Sequence, residues 1–97
     1  MKILYVKYVC KEDKREAFYK AIKENKIDEL SRKDKGNLKY DYSYSTEESN
    51  VLVLNEVWES DEDAQLHMKT KHFEKLGELK VEFVAEVKLE KYRAEIF

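Results

Sequence analysis

Alternation of apolar and polar positions divides the chain into four strand-like stretches and two helical regions. Residues 2–10 (KILYVKYVC) are apolar on both alternating sets and rich in Ile, Val and Tyr, which predicts a mostly buried strand. Residues 11–35 carry Ala17, Phe18, Ala21 and Ile22 at helical spacing, with Asp13 placed as N-cap and Glu16 three residues on, as in a capping box. The stripe lapses over Lys23–Lys26 and resumes at Ile27 and Leu30, so a kink is expected near Asn25; Gly36 and Asn37 supply the stop. From Leu38 to Ser45 the alternation is strict, with Leu38, Tyr40, Tyr42 and Tyr44 on one side and Lys39, Asp41, Ser43 and Ser45 on the other. A polar turn at 46–50 leads into Val51–Trp58, so the two strands form a hairpin. Leu52, Leu54, Glu56 and Trp58 share one face of the second strand; Val51, Val53, Asn55 and Val57 share the other. Ser60, with Asp63 three residues on, predicts the cap of a helix bearing Ala64, Leu66, His67 and Met68. A short helix over Lys71–Leu79 directs Phe73 and Leu76 inward, and Val81–Tyr92 reads as the last strand, with Phe83, Ala85, Val87 and Leu89 on one face.

The order β-α-β-β-α-β is the split-βαβ, ferredoxin-like α+β sandwich, and 97 residues allow one domain, 1–97. Helices on one face of a four-stranded sheet leave the other face in need of cover. A chain this short also has a thin core. A second copy packing sheet against sheet answers both needs, so a homodimer is expected.

Composition narrows the partners. Charged residues reach 41%, but seven Tyr, four Phe and one Trp oppose disorder. A net charge of −2 gives no general attraction to nucleic acid or to an anionic membrane. No stretch approaches the ~18 apolar residues of a membrane span, and the N-terminus lacks a signal-peptide h-region. The single cysteine, Cys10, suits a reducing compartment and a buried position. The expectation is a soluble cytoplasmic protein. With only Gly36 and Gly77 there is no glycine-rich phosphate loop, so bound NAD, FAD or ATP is not expected. The aromatic-basic signature of RNA-recognition domains is also missing.

Two side chains on the second hairpin strand stand out. Glu56, flanked on its face by Leu54 and Trp58, would be costly to desolvate unless paired. It reads either as a general base of raised pKa or as a structural partner for a histidine or backbone N–H. Trp58 is either a platform for a planar substrate or core. The only histidines, His67 and His72, are five apart, about 140° on one continuous helix, which is the wrong geometry for joint metal binding. With no third ligand at a suitable spacing, a zinc site is rejected. His67 suits a proton shuttle, and His72 a capping or carboxylate-paired role. Tyr40, Tyr42 and Tyr44 suit a core or dimer interface as well as a substrate contact. Asn55, on the face opposite Glu56, could orient an oxygen intermediate or bond a neighbouring strand.

The segment NEVWESDEDAQLHMKTKHF (55–73) resembles the pattern of the antibiotic biosynthesis monooxygenase family: a strand ending Glu-x-Trp, an acidic cap, a His-bearing helix, then Ser/Thr-Pro-His-Phe. The matching residues are Glu56, Trp58, Ser60, His67, Thr70, His72 and Phe73, with Lys71 where the family has proline. GNLKYDYSYS (36–45) is similar to the family's Gly-(Cys/Asn)-x-x-Tyr strand start. The resemblance implies a dimeric α+β barrel with a pocket in each subunit between sheet and helices. It implies either a cofactor-free monooxygenase of a small phenolic, quinol or enolic molecule, or an isomerase or tautomerase of a phosphorylated hydroxycarbonyl signal. Residues 61–64 (Asp-Glu-Asp-Ala) match the quorum-signal isomerase among these relatives fully, and 33–38 approximately. A non-catalytic binding dimer is the third reading. Glu56, Trp58 and His67 are the candidate catalytic residues, and His72, Phe73, Asn55 and Tyr40 the candidate substrate contacts. No cofactor is expected; haem is disfavoured because its relatives use an asparagine early in the first strand, and this strand has none. A phosphorylated substrate would need lysines at the pocket mouth, for which Lys33, Lys35 and Lys39 are the candidates.

Overall fold

The computed structural model describes residues 1–97, whose elements run β1 (Lys2–Cys10), α1 (Arg15–Glu24), α2 (Ile27–Arg32), β2 (Asn37–Tyr44), β3 (Val51–Trp58), α3 (Asp61–His67), α4 (Lys71–Phe83) and β4 (Val84–Arg93). The four strands form one antiparallel sheet in the order β2-β3-β1-β4, so the fold is the α+β, ferredoxin-like arrangement, each crossover carrying two helices.

Period-two patterning decides what the sheet buries. Register places Tyr42, Leu54, Val6 and Leu89 in one row across the four strands, and Tyr40, Glu56, Leu4 and Lys91 in the next. These rows face the helices. Val6, Tyr8, Tyr40, Leu52, Leu54 and Trp58 there meet Phe18 and Ile22 of α1, Ile27 of α2, Ala64 of α3, and Leu76 and Leu79 of α4 in one core cluster. Fully burying such aliphatic and aromatic side chains stabilises by roughly 1.5–3 kcal/mol each.

The long helical stretch breaks where its apolar stripe lapses. Asn25 closes α1, and Lys26 takes a left-handed φ of 54° before α2 begins. Asp13 does not cap α1. It lies at φ 57° in the preceding turn, and Lys14 holds the cap position with no side-chain bond. Gly36 ends the α2–β2 turn at φ +78°, and a Cβ there would run into the carboxylate of Asp63. Ser60 and Thr70 cap α3 and α4 as their sequence contexts predict, accepting from the backbone N–H of Asp63 and of Phe73.

The last strand begins later than its alternation suggests. Val81 and Phe83 belong to α4, which continues because Leu76, Leu79 and Phe83 keep helical spacing. Phe83 then packs 6.0 Å from the ring of Phe18. Leu38 falls at an irregularity between Asn37 and Lys39 and is exposed, so the inward stripe of β2 starts at Tyr40. β4 is an edge strand with little cover on either face; Val87, Leu89 and Tyr92 all stay about half exposed.

Candidate active site

A cavity of about 240 Å³ lies between the β1–β4 half of the sheet and the helices α3 and α4. Leu4, Val6, Tyr8, Val87 and Leu89 wall it from the sheet; Ala64, Met68 and Phe73 wall it from the helices. Into this apolar hollow come two titratable groups of opposite type, Glu56 and His67, with Lys2, Lys80 and Lys91 around them. A wider depression of about 720 Å³ lies beside Arg15 and the β2–β3 turn, but its lining is almost wholly polar. The Arg15 guanidinium beside it already donates to the carbonyls of Ser45, Glu48 and Val51. Only the smaller cavity has the apolar enclosure that makes acid–base chemistry differ from that in water.

Glu56 sits mid-sheet, opposite Tyr40 of β2 and Leu4 of β1, and is only 7% exposed. Its Oε1 accepts the indole N–H of Trp58 at 3.0 Å, the one hydrogen bond its side chain makes. Burial pushes its carboxyl up to about 7, against the opposing pull of the Trp58 hydrogen bond and the Lys80 charge. A group so placed holds or gives up a proton near neutral pH.

His67 is the last residue of α3 and is 3% exposed. Its Nδ1 lies 2.7 Å from Oδ2 of Asp34, in the turn between α2 and β2. Burial holds the imidazole below its usual pKa, and Asp34 pulls it part of the way back. The neutral ring therefore donates Nδ1–H to Asp34, leaving Nε2 as the free acceptor on a ring that lines the cavity. Trp58 stands behind both groups: its ring is 4.8 Å from that of His67, while its N–H holds Glu56. The ring of Phe73 stands edge-to-face with that of His67 at 5.4 Å.

Of the residues singled out from the sequence, Glu56, His67 and Phe73 line the cavity. Trp58 does not. It is fully buried in the core cluster, with its N–H on Glu56 and its ring against His67. Tyr40 is likewise core, its hydroxyl 3.4 Å from that of Tyr42 and its ring 5.6 Å from His67. Asn55 opens onto the opposite face of the sheet with Tyr5, Lys7 and Val53, because β3 alternates. Lys33, Lys35 and Lys39 do not converge: Lys35 reaches Asp63, Lys39 reaches Asp41, and Lys33 lies by α2.

His72 lies outside the cavity, with its Nε2 2.8 Å from the same Asp34 oxygen that His67 meets. The premise that separated the two histidines fails here. The chain leaves α3 at Met68 and enters α4 at Lys71, so they occupy different helices and their rings stand 5.6 Å apart. Lys71 fills the first helical position without displacing His72, because Thr70 fixes the turn, accepting from Phe73 N–H and donating to the His67 carbonyl at 2.7 Å. Asp34, Lys80 and Tyr8 were not anticipated. Asp34 stands 33 residues from His67, and no local pattern joins them.

The model of the family described as antibiotic biosynthesis monooxygenase matches residues 1–79. A Nitrosomonas europaea structure carrying the same family name superposes with a TM-score of 0.87 at 29% identity, over 97% of this chain and 98% of that one. A conserved Bacteroides thetaiotaomicron protein of unknown function matches at 33% identity and TM-score 0.81, over 94% of each chain. A Pseudomonas aeruginosa structure shares the fold at 22% identity and TM-score 0.85, over 97% of this chain and 94% of that one. No curated protein matches the sequence.

Proposed function

The chain belongs to the antibiotic biosynthesis monooxygenase family, and from that premise we propose that it oxygenates a small phenolic, quinol or enolic substrate without a prosthetic group. The observation that carries the reading is the pairing of Glu56 and the Asp34-oriented His67 in one apolar cavity. At about 240 Å³ the cavity exceeds the ~150 Å³ that admits benzene and falls short of the ~300–1,000 Å³ of drug-sized sites, which suits one substituted ring or a fused pair.

His67 Nε2 or the Glu56 carboxylate takes the proton from a carbon or hydroxyl acid, and the substrate anion passes one electron to dioxygen. The radical pair then combines at carbon. For a methylene flanked by activating groups, the balance is R–CH2–R′ + O2 → R–CO–R′ + H2O. As the O–O bond breaks, the second C–H proton passes to the departing oxygen and the residue that took the first proton returns it there, completing water. The apolar walls keep water from the anion and the radical pair.

We place this chemistry in a homodimer. The bare β4 edge and the exposed Ile96 and Phe97 of the tail supply apolar surface that a second copy would cover. Size-exclusion with light scattering is expected to give twice 11.7 kDa.

One observation favours a second reading, isomerisation of a phosphorylated hydroxycarbonyl. Lys2, Lys80 and Lys91 beside the cavity supply the cations that Lys33, Lys35 and Lys39 do not. A purely non-catalytic dimer is disfavoured, because it predicts a pocket filled by side chains or too small for a ring, against a cavity of about 240 Å³.

The test is dioxygen uptake across a panel of quinols and activated ring ketones, beside anaerobic turnover of phosphorylated hydroxyketones. Glu56→Gln and His67→Asn are each expected to lower the rate by about 10²-fold or more, the usual worth of a positioned acid or base. No uptake with any substrate, or full rates in both variants, would overturn oxygenation; anaerobic turnover would establish the alternative.

A further inference from the structure

Asp34, His67 and His72 come from three separate segments, the α2–β2 turn, α3 and α4, yet their Oδ2, Nδ1 and Nε2 atoms lie within 4.8 Å of one another. Both imidazole nitrogens fall on a single carboxylate oxygen, at 2.7 and 2.8 Å, while the other oxygen of Asp34 has no protein partner. No lysine or arginine comes to this carboxylate; its only ionic partners are the two rings. The Asp34 and His72 side chains keep 18% and 13% exposure, so the cluster reaches solvent.

From this geometry we propose that Asp34, His67 and His72 form a binding site for one divalent transition-metal ion of the zinc, cobalt or nickel type, on the side of His67 away from the cavity. Two imidazoles and a carboxylate are the donors such ions take, with water completing a tetrahedron. Metal–ligand lengths of about 2.0–2.2 Å set ligand atoms about 3.3 Å apart. Each ring nitrogen therefore draws back from the Asp34 oxygen by about half an ångström, and the two nitrogens, now up to 4.8 Å apart, close on each other by as much as about 1.5 Å. No net proton need be released: with both rings neutral, the His67 proton moves from Nδ1 to Nε2, and the His72 proton from Nε2 to Nδ1.

The site lies back to back with the cavity, so loading has a consequence there. Nε2, the nitrogen not on Asp34, changes from acceptor to N–H donor, and His67 ceases to be a base. That consequence rests on the reading of His67 given above; metal binding itself does not.

The experiment titrates untagged, chelator-stripped protein with ZnSO4, CoCl2 and NiCl2 by calorimetry and thermal melting. The same is done on Asp34→Asn and His72→Gln after confirming that their metal-free near-UV spectra match the parent. Expected are one ion per chain, a rise of several degrees in Tm, and visible absorption of tetrahedral cobalt. Each variant is expected to bind more weakly by more than the ~10–100-fold that follows loss of an outer-shell partner. Imidazole 15N spectra are expected to show the His67 proton on Nδ1 before zinc and on Nε2 after. The proposal is overturned by no saturable binding at millimolar metal, by affinity unchanged in both variants, or by a His67 proton that stays on Nδ1 in the saturated protein. If metal binds as described while no substrate is turned over, the site stands and the oxygenase reading falls.

Discussion

Replacing Glu56 by glutamine isolates the energetic consequence of burying this carboxyl. In the folded chain the group keeps its proton up to about pH 7, whereas its ordinary value is 4.5. Between those values the unfolded chain binds fewer protons than the folded one, so the contribution of Glu56 to stability falls as pH rises. The interval of about 2.5 units, at about 1.4 kcal/mol per unit, amounts to roughly 3 kcal/mol lost by the time Glu56 is ionised. Glutamine keeps an oxygen for the Trp58 N–H and carries no charge, so it should match the protonated parent below pH 5. Above that it should gain on the parent, by about 2.5 kcal/mol between pH 5 and pH 8. Urea unfolding of both proteins at half-unit pH steps, with equal m-values, measures the difference. His67 titrates in both proteins and cancels. A difference flat within about 0.5 kcal/mol across that range, or one that favours glutamate at high pH, would show that the carboxyl is not held protonated by burial.

Two further outcomes follow from neighbouring contacts. Gly36→Ala should destabilise the chain by about 2–3 kcal/mol in chemical denaturation, since it combines a strained positive φ with a Cβ driven into the Asp63 carboxylate; a loss below about 0.5 kcal/mol would mean that turn and carboxylate part freely. Lys80→Met removes a positive charge that holds the Glu56 carboxyl down. The Glu56 titration, followed by carboxyl 13C chemical shift, should move to higher pH, and movement to lower pH would refute the assignment of that charge.

Alternation made the β3 faces legible. One residue of register sends Leu52, Leu54, Glu56 and Trp58 to the helices and Asn55 to the opposite face, and that placement follows from period two alone. Capping chemistry located α3 through Ser60, and the lapse in the apolar stripe marked the break at Asn25 and Lys26. The end of α4 was misplaced because Val81–Leu89 satisfies strand alternation while Leu76, Leu79 and Phe83 satisfy helical spacing. Packing of Phe83 on Phe18 favours the helix. Asp13 has the right residue type and spacing for a cap, but its left-handed φ removes it from that position.

The linear chain therefore determined the order of elements, the face each strand buries, and that a carboxylate and an indole share the buried side of β3. These depend on contacts within a few residues and on periodicities of about 2 and 3.6. Only the tertiary structure decided that Trp58 is buried in the core, outside the cavity lining. It alone set His67 and His72 on different helices and brought Asp34 to both, closing a gap of 33 residues. Such meetings depend on how the helices dock against the sheet, which no short-range pattern encodes.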